Sequence, residues 1–471
     1  MDSTKLDRAF NPQCVAVVGD KVERNFSWLR AQSTFKGKLY SVQVDSQEIE
    51  GIEALGVKNY TSLLDIPESV DLVIVAVPRA VAPRILEDCI QKGVAAAHFF
   101  TAGFAETDTE EGKRLERLLI ERAKEANFYL IGPNCMGIFN PKVGIRQTER
   151  QYTGLSGPVG FISQSGTHAI TFSQEGHLHG VDISKSVSFG NGVVLDSSDY
   201  LDYFGSDADI KVIGMYLEGV RDGRKFLTVL REVATRKPVV IWKGGRTEAG
   251  GRAIASHTGS LAIPQAIWDV AIRQAGAIGV VSLEELIDTL KALLHLSPVC
   301  GNRIALAGGS GGQSVAITDV FVEAGLRVPV LTQKSYDELA TFFSLVGGSY
   351  RNPVDTGNPN RRFMKRIMEI LEQDANIDNL VVLLGLPRRG WYSPEESERD
   401  IRTLIELRGK TSKPVMVVVP SPSTPDGVKQ VGEVTQKLQD GGVPAFISLE
   451  RGARALKNAL DYYNFRGGNS S

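Results

Sequence analysis

Short, uninterrupted apolar runs that stop at a turn-forming or polar residue recur along this chain, separated by stretches of helical period. Val15–Val18 ends at Gly19, Leu72–Val77 at Pro78, Val159–Ile162 at Ser163, Val212–Leu217 at Glu218 and Arg303–Ala307 at Gly308. A strand covered on both faces reads as a continuous apolar run, and parallel strands need a crossover long enough to hold a helix. The pattern predicts α/β architecture built on parallel sheets. It also places ligands where the runs stop, at the carboxyl ends of the strands.

The 471 residues are enough for two or three domains. In the first, Lys38–Val42, Ala95–Phe100 and Tyr129–Ile131 add strands, and Ala80–Lys92 and about Glu110–Glu125 have helical period. This predicts a Rossmann-like domain over residues 8–141, followed by a polar connector, Lys142–Pro158. A second domain, 155–298, gains Val239–Ile241 as a strand and closes with a helix from about Leu283 to Leu296, broken at Pro298. A third, 301–466, adds Leu380–Leu384 and Pro414–Val419. The second and third share the order strand, Gly/Ser turn, helix, which predicts two flavodoxin-like domains.

A net charge of -2 gives no global attraction to nucleic acid or to an anionic membrane, so any anion site must be local. Cys14, Cys89, Cys135 and Cys300 lie far apart without a CxxC pair. That argues against a zinc site or a disulfide framework and suits a reducing cytoplasm. Met1–Asp7 lacks an apolar signal core, and no apolar run is long enough to span a bilayer. A cytoplasmic location is therefore expected.

Four segments carry candidate chemistry. His257 lies in Ala255–Ala262, among small hydroxyl residues and glycine, after the run Pro238–Lys243 and the glycine-rich stretch Gly244–Arg252. The glycines predict a loop in which an anion can approach the imidazole, and imidazole can accept a phosphoryl group and pass it on. Ser163, Gln164, Ser165 and Gly166 lie between a strand and a helix, where free amides and the helix dipole favour an anion. Glu218 ends a strand of the same domain, where a carboxylate can fix one ring nitrogen of a histidine and leave the other to attack phosphorus. Gly132–Gly137 reads as a rigid substrate-holding turn; with no histidine close in sequence, Cys135 is a poor catalytic thiol.

Each segment has a plainer reading when taken singly: a loop histidine, a turn kept for its geometry, a solvated strand-end carboxylate. Gly308–Gly312 lacks the lysine of a Walker A loop and either holds phosphate or makes a tight turn. His168, His177 and His179 read as surface or helix residues rather than metal ligands.

Taken together, Gly132–Gly137, Ser163–Gly166, Tyr216–Val220 and Ser256–Ala262 resemble, in order and spacing, the alpha subunit of ADP-forming acyl-CoA synthetases, relatives of succinyl-CoA synthetase. Arg351–Asp355 resembles the family's third-domain motif. The resemblance implies that His257 carries a phosphoryl group and Glu218 orients it. It implies phosphate binding by Ser163, Gln164, Ser165, Gly166, Thr258 and Gly259. It also implies CoA binding by Gly19, Lys21, Val77, Pro78, Ala102, Gly103, Asn134 and Cys135. ATP/ADP and Mg²⁺ would be handled by an ATP-grasp beta subunit in an α2β2 heterotetramer, with a small carboxylic acid and CoA as substrates.

One segment departs from the family pattern. Where a glycine-rich CoA cradle is expected, the chain reads Gly19–Leu29, with Asp20 and Glu23 opposing a diphosphate and Lys21 and Arg24 favouring it. Val194 also stands where an acidic residue is expected. Two other readings therefore use the same residues. One is a phosphohistidine relay to an acceptor other than CoA. The other is a non-catalytic CoA- or nucleotide-responsive binding protein on the same fold.

Overall fold

A computed structural model describes the chain except residues 1, 259–263, 310, 347, 358–359, 389–390, 421–423 and 469–471; for 255–258 it describes the backbone alone. The chain divides into two compact units, Met1–Leu283 and Glu284–Ser471.

The first unit holds two sheets. One is formed by β1 (Cys14–Val18), β2 (Lys38–Val42), β3 (Lys58–Tyr60), β4 (Leu72–Val75), β5 (Ala96–Phe99) and β6 (Tyr129–Ile131). They pair in the order β3-β2-β1-β4-β5-β6, all parallel. This is the doubly wound Rossmann order, with its switch point between β1 and β4. β1, β4 and β5 are buried throughout, as their continuous apolar runs require.

The chain then enters the second sheet directly. β7 (Gly137–Phe139) starts six residues after β6 ends and runs antiparallel to β9 (Ile183–Ser188). β8 (Val159–Ser163), β10 (Val212–Leu217), β11 (Val239–Lys243) and β12 (Ile278–Val280) complete the order β12-β11-β10-β8-β9-β7. Here the switch point lies between β8 and β10, which pair in parallel. One hydrophobic cluster runs through both sheets, joining Val15, Ile74 and Ile131 to Ile162, Leu217 and Ile241.

The second unit holds β13 (Ile304–Gly308), β14 (Asn379–Leu383), β15 (Val415–Val418) and β16 (Ala445–Phe446) in that order, all parallel. Asn352 from the Arg351–Asp355 motif works as a structural plug. Its Oδ1 accepts the Leu306 N–H at 3.0 Å, and its Nδ2 donates to the carbonyls of Ile304 and Pro329 at 2.9 and 2.8 Å. Gly308 has φ +107°, and a Cβ there would lie 2.2 Å from the Leu383 carbonyl, so the turn requires glycine for close packing.

The loop expected around His257 is corrected. Glu248–Thr258 is a helix, so the backbone of His257 lies in a last helical turn. Thr247 starts it, accepting the Gly250 N–H on its hydroxyl at 3.1 Å and the Gly251 N–H on its carbonyl at 2.8 Å. Gly250 serves contact rather than flexibility: a Cβ on it would lie 3.1 Å from the Gly245 Cα.

Candidate active site

At the switch point of the first sheet, β1 stops at Gly19 and β4 at Ala76–Pro78. Gly19 has φ +81°, and a Cβ on it would meet the Val77 Cγ1 at 2.5 Å, so the two strand ends approach as closely as backbone allows. A cavity of about 440 Å³ opens there. It is lined by Gly19, Lys21, Val77, Pro78, Ala102 and Asn134, six of the eight residues expected to hold CoA. Gly103 lies at its rim, its carbonyl accepting from Arg79 Nη1 at 2.6 Å. Cys135 is instead buried beneath the turn, with Sγ 3.5 Å from the Ile131 carbonyl, and burial pushes its thiol up to about 12.

The charges of Gly19–Leu29 resolve in a way the sequence did not reveal. Asp20 is only 2% exposed, and its carboxylate accepts the N–H groups of Leu29, Trp28 and Lys21 at 2.9, 3.0 and 3.1 Å. Asp20 lines the cavity, but its carboxylate is engaged in holding the start of the short helix Ser27–Ala31. Burial raises its pKa, and these N–H groups work against that shift. Lys21, Arg24 and Arg79 line the cavity as cations together with the carboxylate of Glu23, and Arg24 lies over the Phe100 ring at 5.3 Å. Arg79 had no sequence signal beyond its place after Pro78. A second cavity of about 330 Å³ shares Arg24 and Phe100 and reaches Met136.

Met136 leads to the second switch point. A Cβ on Gly166 would lie 2.6 Å from the Met136 Cγ, and the Met136 N–H donates to Ser188 Oγ at 3.1 Å. After β8, the Ser163 Oγ accepts the Ser165 N–H at 3.2 Å and donates to the Ser165 carbonyl at 2.6 Å. Ser165 caps the helix Gly166–Leu178, its hydroxyl accepting the His168 N–H at 3.4 Å. Gln164 reaches across to β10, its Oε1 accepting the N–H groups of Glu218 and Gly219 at 2.8 and 3.1 Å.

Glu218 is 8% exposed and receives the Tyr216 hydroxyl on Oε1 at 3.3 Å. The neighbouring strand end packs on it: a Cβ at Gly244 would lie 2.6 Å from Tyr216 Oη and 3.4 Å from Glu218 Cγ. Lys243 was read only as a strand residue. Its Nζ donates to the carbonyls of Glu218 and Gly244 at 2.6 and 2.5 Å and lies over the Trp268 ring at 5.7 Å. Burial lowers its pKa, and the charge of Glu218 offsets part of that. A buried lysine at a strand end, before two glycines, was the available signal.

Ser163, Gln164, Ser165, Gly166 and Glu218 are thus gathered at the carboxyl ends of two paired strands. The backbone of His257 and Thr258 belongs to the helix that follows β11, the strand beside β10. Their side chains and Gly259 lie outside the described residues. His168 packs against Tyr216 and Trp242, and His177 Nδ1 pairs with Asp182 Oδ1 at 2.6 Å, so both are helix residues with local partners. Among the described residues no cluster of metal-ligating side chains occurs, and no helix is long and apolar enough to cross a membrane.

Two parallel-built sheets with a switch point each, the first opening on a cavity, define a two-domain α/β class. Residues 13–141 match the CoA binding domain, and residues 156–293 match the succinyl-CoA ligase like flavodoxin domain. The chain is 33% identical over 456 residues to the alpha subunit of acetate–CoA ligase [ADP-forming] II from Pyrococcus furiosus, covering 96% of each chain. It is 34% identical to acetate–CoA ligase [ADP-forming] I from Archaeoglobus fulgidus, spanning 96% of this chain and 63% of that longer one. Its backbone superposes on a dinucleotide-forming acetyl-coenzyme A synthetase 1 from Ca. Korarchaeum cryptofilum, solved with phosphate and ADP. The TM-score is 0.86 at 30% identity, over 99% of both chains. The chain belongs to the family of ADP-forming acetate–CoA ligase alpha subunits, which are acid–thiol ligases.

Proposed function

We propose that this chain binds CoA and a carboxylic acid and joins them through a phosphohistidine at His257 and an acyl phosphate. The observation that carries the reading is the second switch point. Glu218 is held by Gln164 and Lys243 beside the Ser163–Gly166 turn, next to the end of β11, which the His257 helix follows.

The cycle has three transfers. The γ-phosphoryl of ATP passes to the His257 imidazole and ADP leaves. The acid's carboxylate oxygen then attacks phosphorus, freeing the imidazole and giving an acyl phosphate. Finally the CoA thiol attacks the acyl carbon, the bond to the phosphate oxygen breaks, and phosphate departs with the thiol proton. Phosphoryl transfer depends chiefly on positioning and charge stabilisation. Glu218 orients the imidazole, while the Ser163–Gly166 amides with Thr258 and Gly259 hold the phosphoryl oxygens. Residues 8–141 bind CoA through the cavity at Gly19, Lys21, Val77, Pro78, Ala102, Gly103 and Asn134. Residues 155–298 carry the transfers, and 301–466 form a third domain.

ATP with Mg²⁺ belongs to an ATP-grasp partner, in an α2β2 assembly in the cytoplasm. The term alpha subunit for one relative, and the longer single chain of another, support a separate partner here.

The test is intact-mass analysis at neutral pH after Mg²⁺-ATP is added to the chain and its partner. One phosphoryl group on wild type, none on His257→Asn, discharge of that group by a carboxylic acid, and acyl-CoA formed once CoA is added are expected. Discharge by the acid with no acyl-CoA formed on adding CoA points to another acceptor. No phosphorylation with a competent partner overturns the relay in favour of a binding protein.

A further inference from the structure

Asn191 joins three loops that surround the two crevices. Its main-chain N–H donates to the Pro133 carbonyl at 3.0 Å, in the turn that holds Asn134 against the first cavity. Its side-chain Nδ2 donates to Glu106 Oε2 at 2.7 Å and Glu116 Oε2 at 3.1 Å. Its carbonyl accepts from Arg221 Nη2 at 2.9 Å, three residues beyond Glu218. Glu106 passes the connection on: its Oε1 accepts the Gly103 N–H at 2.7 Å on the rim of the first cavity. The turn that carries Glu106, Ala105–Thr107, packs against the His257 helix. Next to Asn191, Gly190 is pressed onto the same turn, and a Cβ on it would lie 2.2 Å from the Asn134 carbonyl.

We propose that Asn191 is a positioning residue for the acyl-transfer step. It fixes the Gly103–Glu106 rim, the Gly132–Gly137 turn and the Glu218–Arg221 loop relative to one another, without touching either reactant. The inference rests on the function proposed above. The chemistry explains the residue type. An amide nitrogen offers two hydrogens, and two carboxylates that would otherwise repel each take one. Asp has the same shape and no hydrogen to give. The step affected is the attack of the CoA sulfur on the acyl phosphate carbon, because only there must the occupants of both crevices meet. The other half-reactions each use one crevice.

The test uses the chain with its ATP-grasp partner and three readouts: CoA affinity by calorimetry, His257 phosphorylation by Mg²⁺-ATP, and acyl-CoA formation from the phosphorylated protein with acid and CoA. Asn191→Asp is expected to slow acyl-CoA formation about 100-fold while affinity and phosphorylation stay within about threefold. Adding Glu106→Gln restores a donor–acceptor pair, and at least tenfold of the acyl-CoA rate is expected to return, on the order of 1.4 kcal/mol. A rescue of this kind separates positioning from simple loss of fold. Acyl-CoA formation at wild-type rate in Asn191→Asp, equal loss of all three readouts, or no rescue would overturn the proposal. Failure of wild type to bind CoA or to phosphorylate His257 instead overturns the underlying function.

Discussion

Gln164 and Glu218 are tied across a switch point: the Gln164 Oε1 accepts the Glu218 N–H at 2.8 Å and the Gly219 N–H at 3.1 Å. One side chain thereby sets the direction in which β10 leaves its sheet. Gln164→Ala leaves two N–H groups without their acceptor. Each such loss costs about 1–3 kcal/mol where water cannot replace it. Gln164→Glu keeps the acceptor and adds a negative charge beside the phosphate turn. Chemical denaturation is expected to show a stability loss for Ala alone, whereas His257 phosphorylation falls in both. Equal phosphorylation by wild type and the Glu variant would count against a phosphate site at this turn.

Gly19→Ala places a methyl group where the Val77 Cγ1 lies 2.5 Å away, at a backbone φ of +81°. Either the β1 turn or the β4 end must shift, and strain of about 1–3 kcal/mol follows. Since both strand ends line the first cavity, CoA affinity should fall at least tenfold. Calorimetry would measure it, and wild-type affinity in the variant would move the CoA site away from this crevice.

His98 makes stability depend on pH. It is 1% exposed on β5, neither ring nitrogen has a hydrogen-bond partner among the described residues, and burial pushes its pKa down to about 3. In the unfolded chain it titrates near 6.5. Between these values the unfolded state binds a proton that the folded state does not, so stability falls as pH drops below 6.5. Each pH unit in that window costs about 1.4 kcal/mol from this residue. Urea denaturation at pH 7 and pH 5 should show a smaller difference for His98→Leu than for wild type.

The cysteines should react unequally. Cys135 is buried and its thiol is held protonated by that burial, whereas Cys300 is exposed. The thiolate is the reactive species. Iodoacetamide on the native chain should label Cys300 and spare Cys135, as peptide mass mapping would reveal. Loss of activity tracking Cys135 labelling would give that thiol a chemical role.

What the sequence made legible follows from burial. β1, β4, β8 and β10 sit inside their sheets and carry apolar runs up to their last residues, so their ends, and the residues placed there, could be read directly. β9 could not be. Its residues Ile183–Ser188 are fully buried yet include Ser184, Lys185, Ser186 and Ser188, because Lys185 has an ion-pair partner in Asp207. β7, β12 and β16 are three residues or fewer and carry no period. Gly250 looks like a loop residue in the sequence because its close approach to the Gly245 Cα is invisible without the structure. Asp20 looked like a repelling charge because nothing in the sequence reveals which way a carboxylate turns. That Gln164 and Glu218 meet depends on β8 lying beside β10, a pairing set by packing rather than by chain order.

The passage of the chain from β6 to β7 has a consequence for how such proteins can be recombined. The last strand of the first sheet and the edge strand of the second are separated by the turn Gly132–Gly137 alone, and Ile138 pairs with Val187. A chimera spliced at residue 141 would import a foreign edge strand into the second sheet along with the first domain. A splice before Gly132 would leave both sheets with their own strands, but would divide the turn from the crevice it lines. The inheritable module is therefore larger than either sheet, and variation in substrate choice should travel with both crevices together.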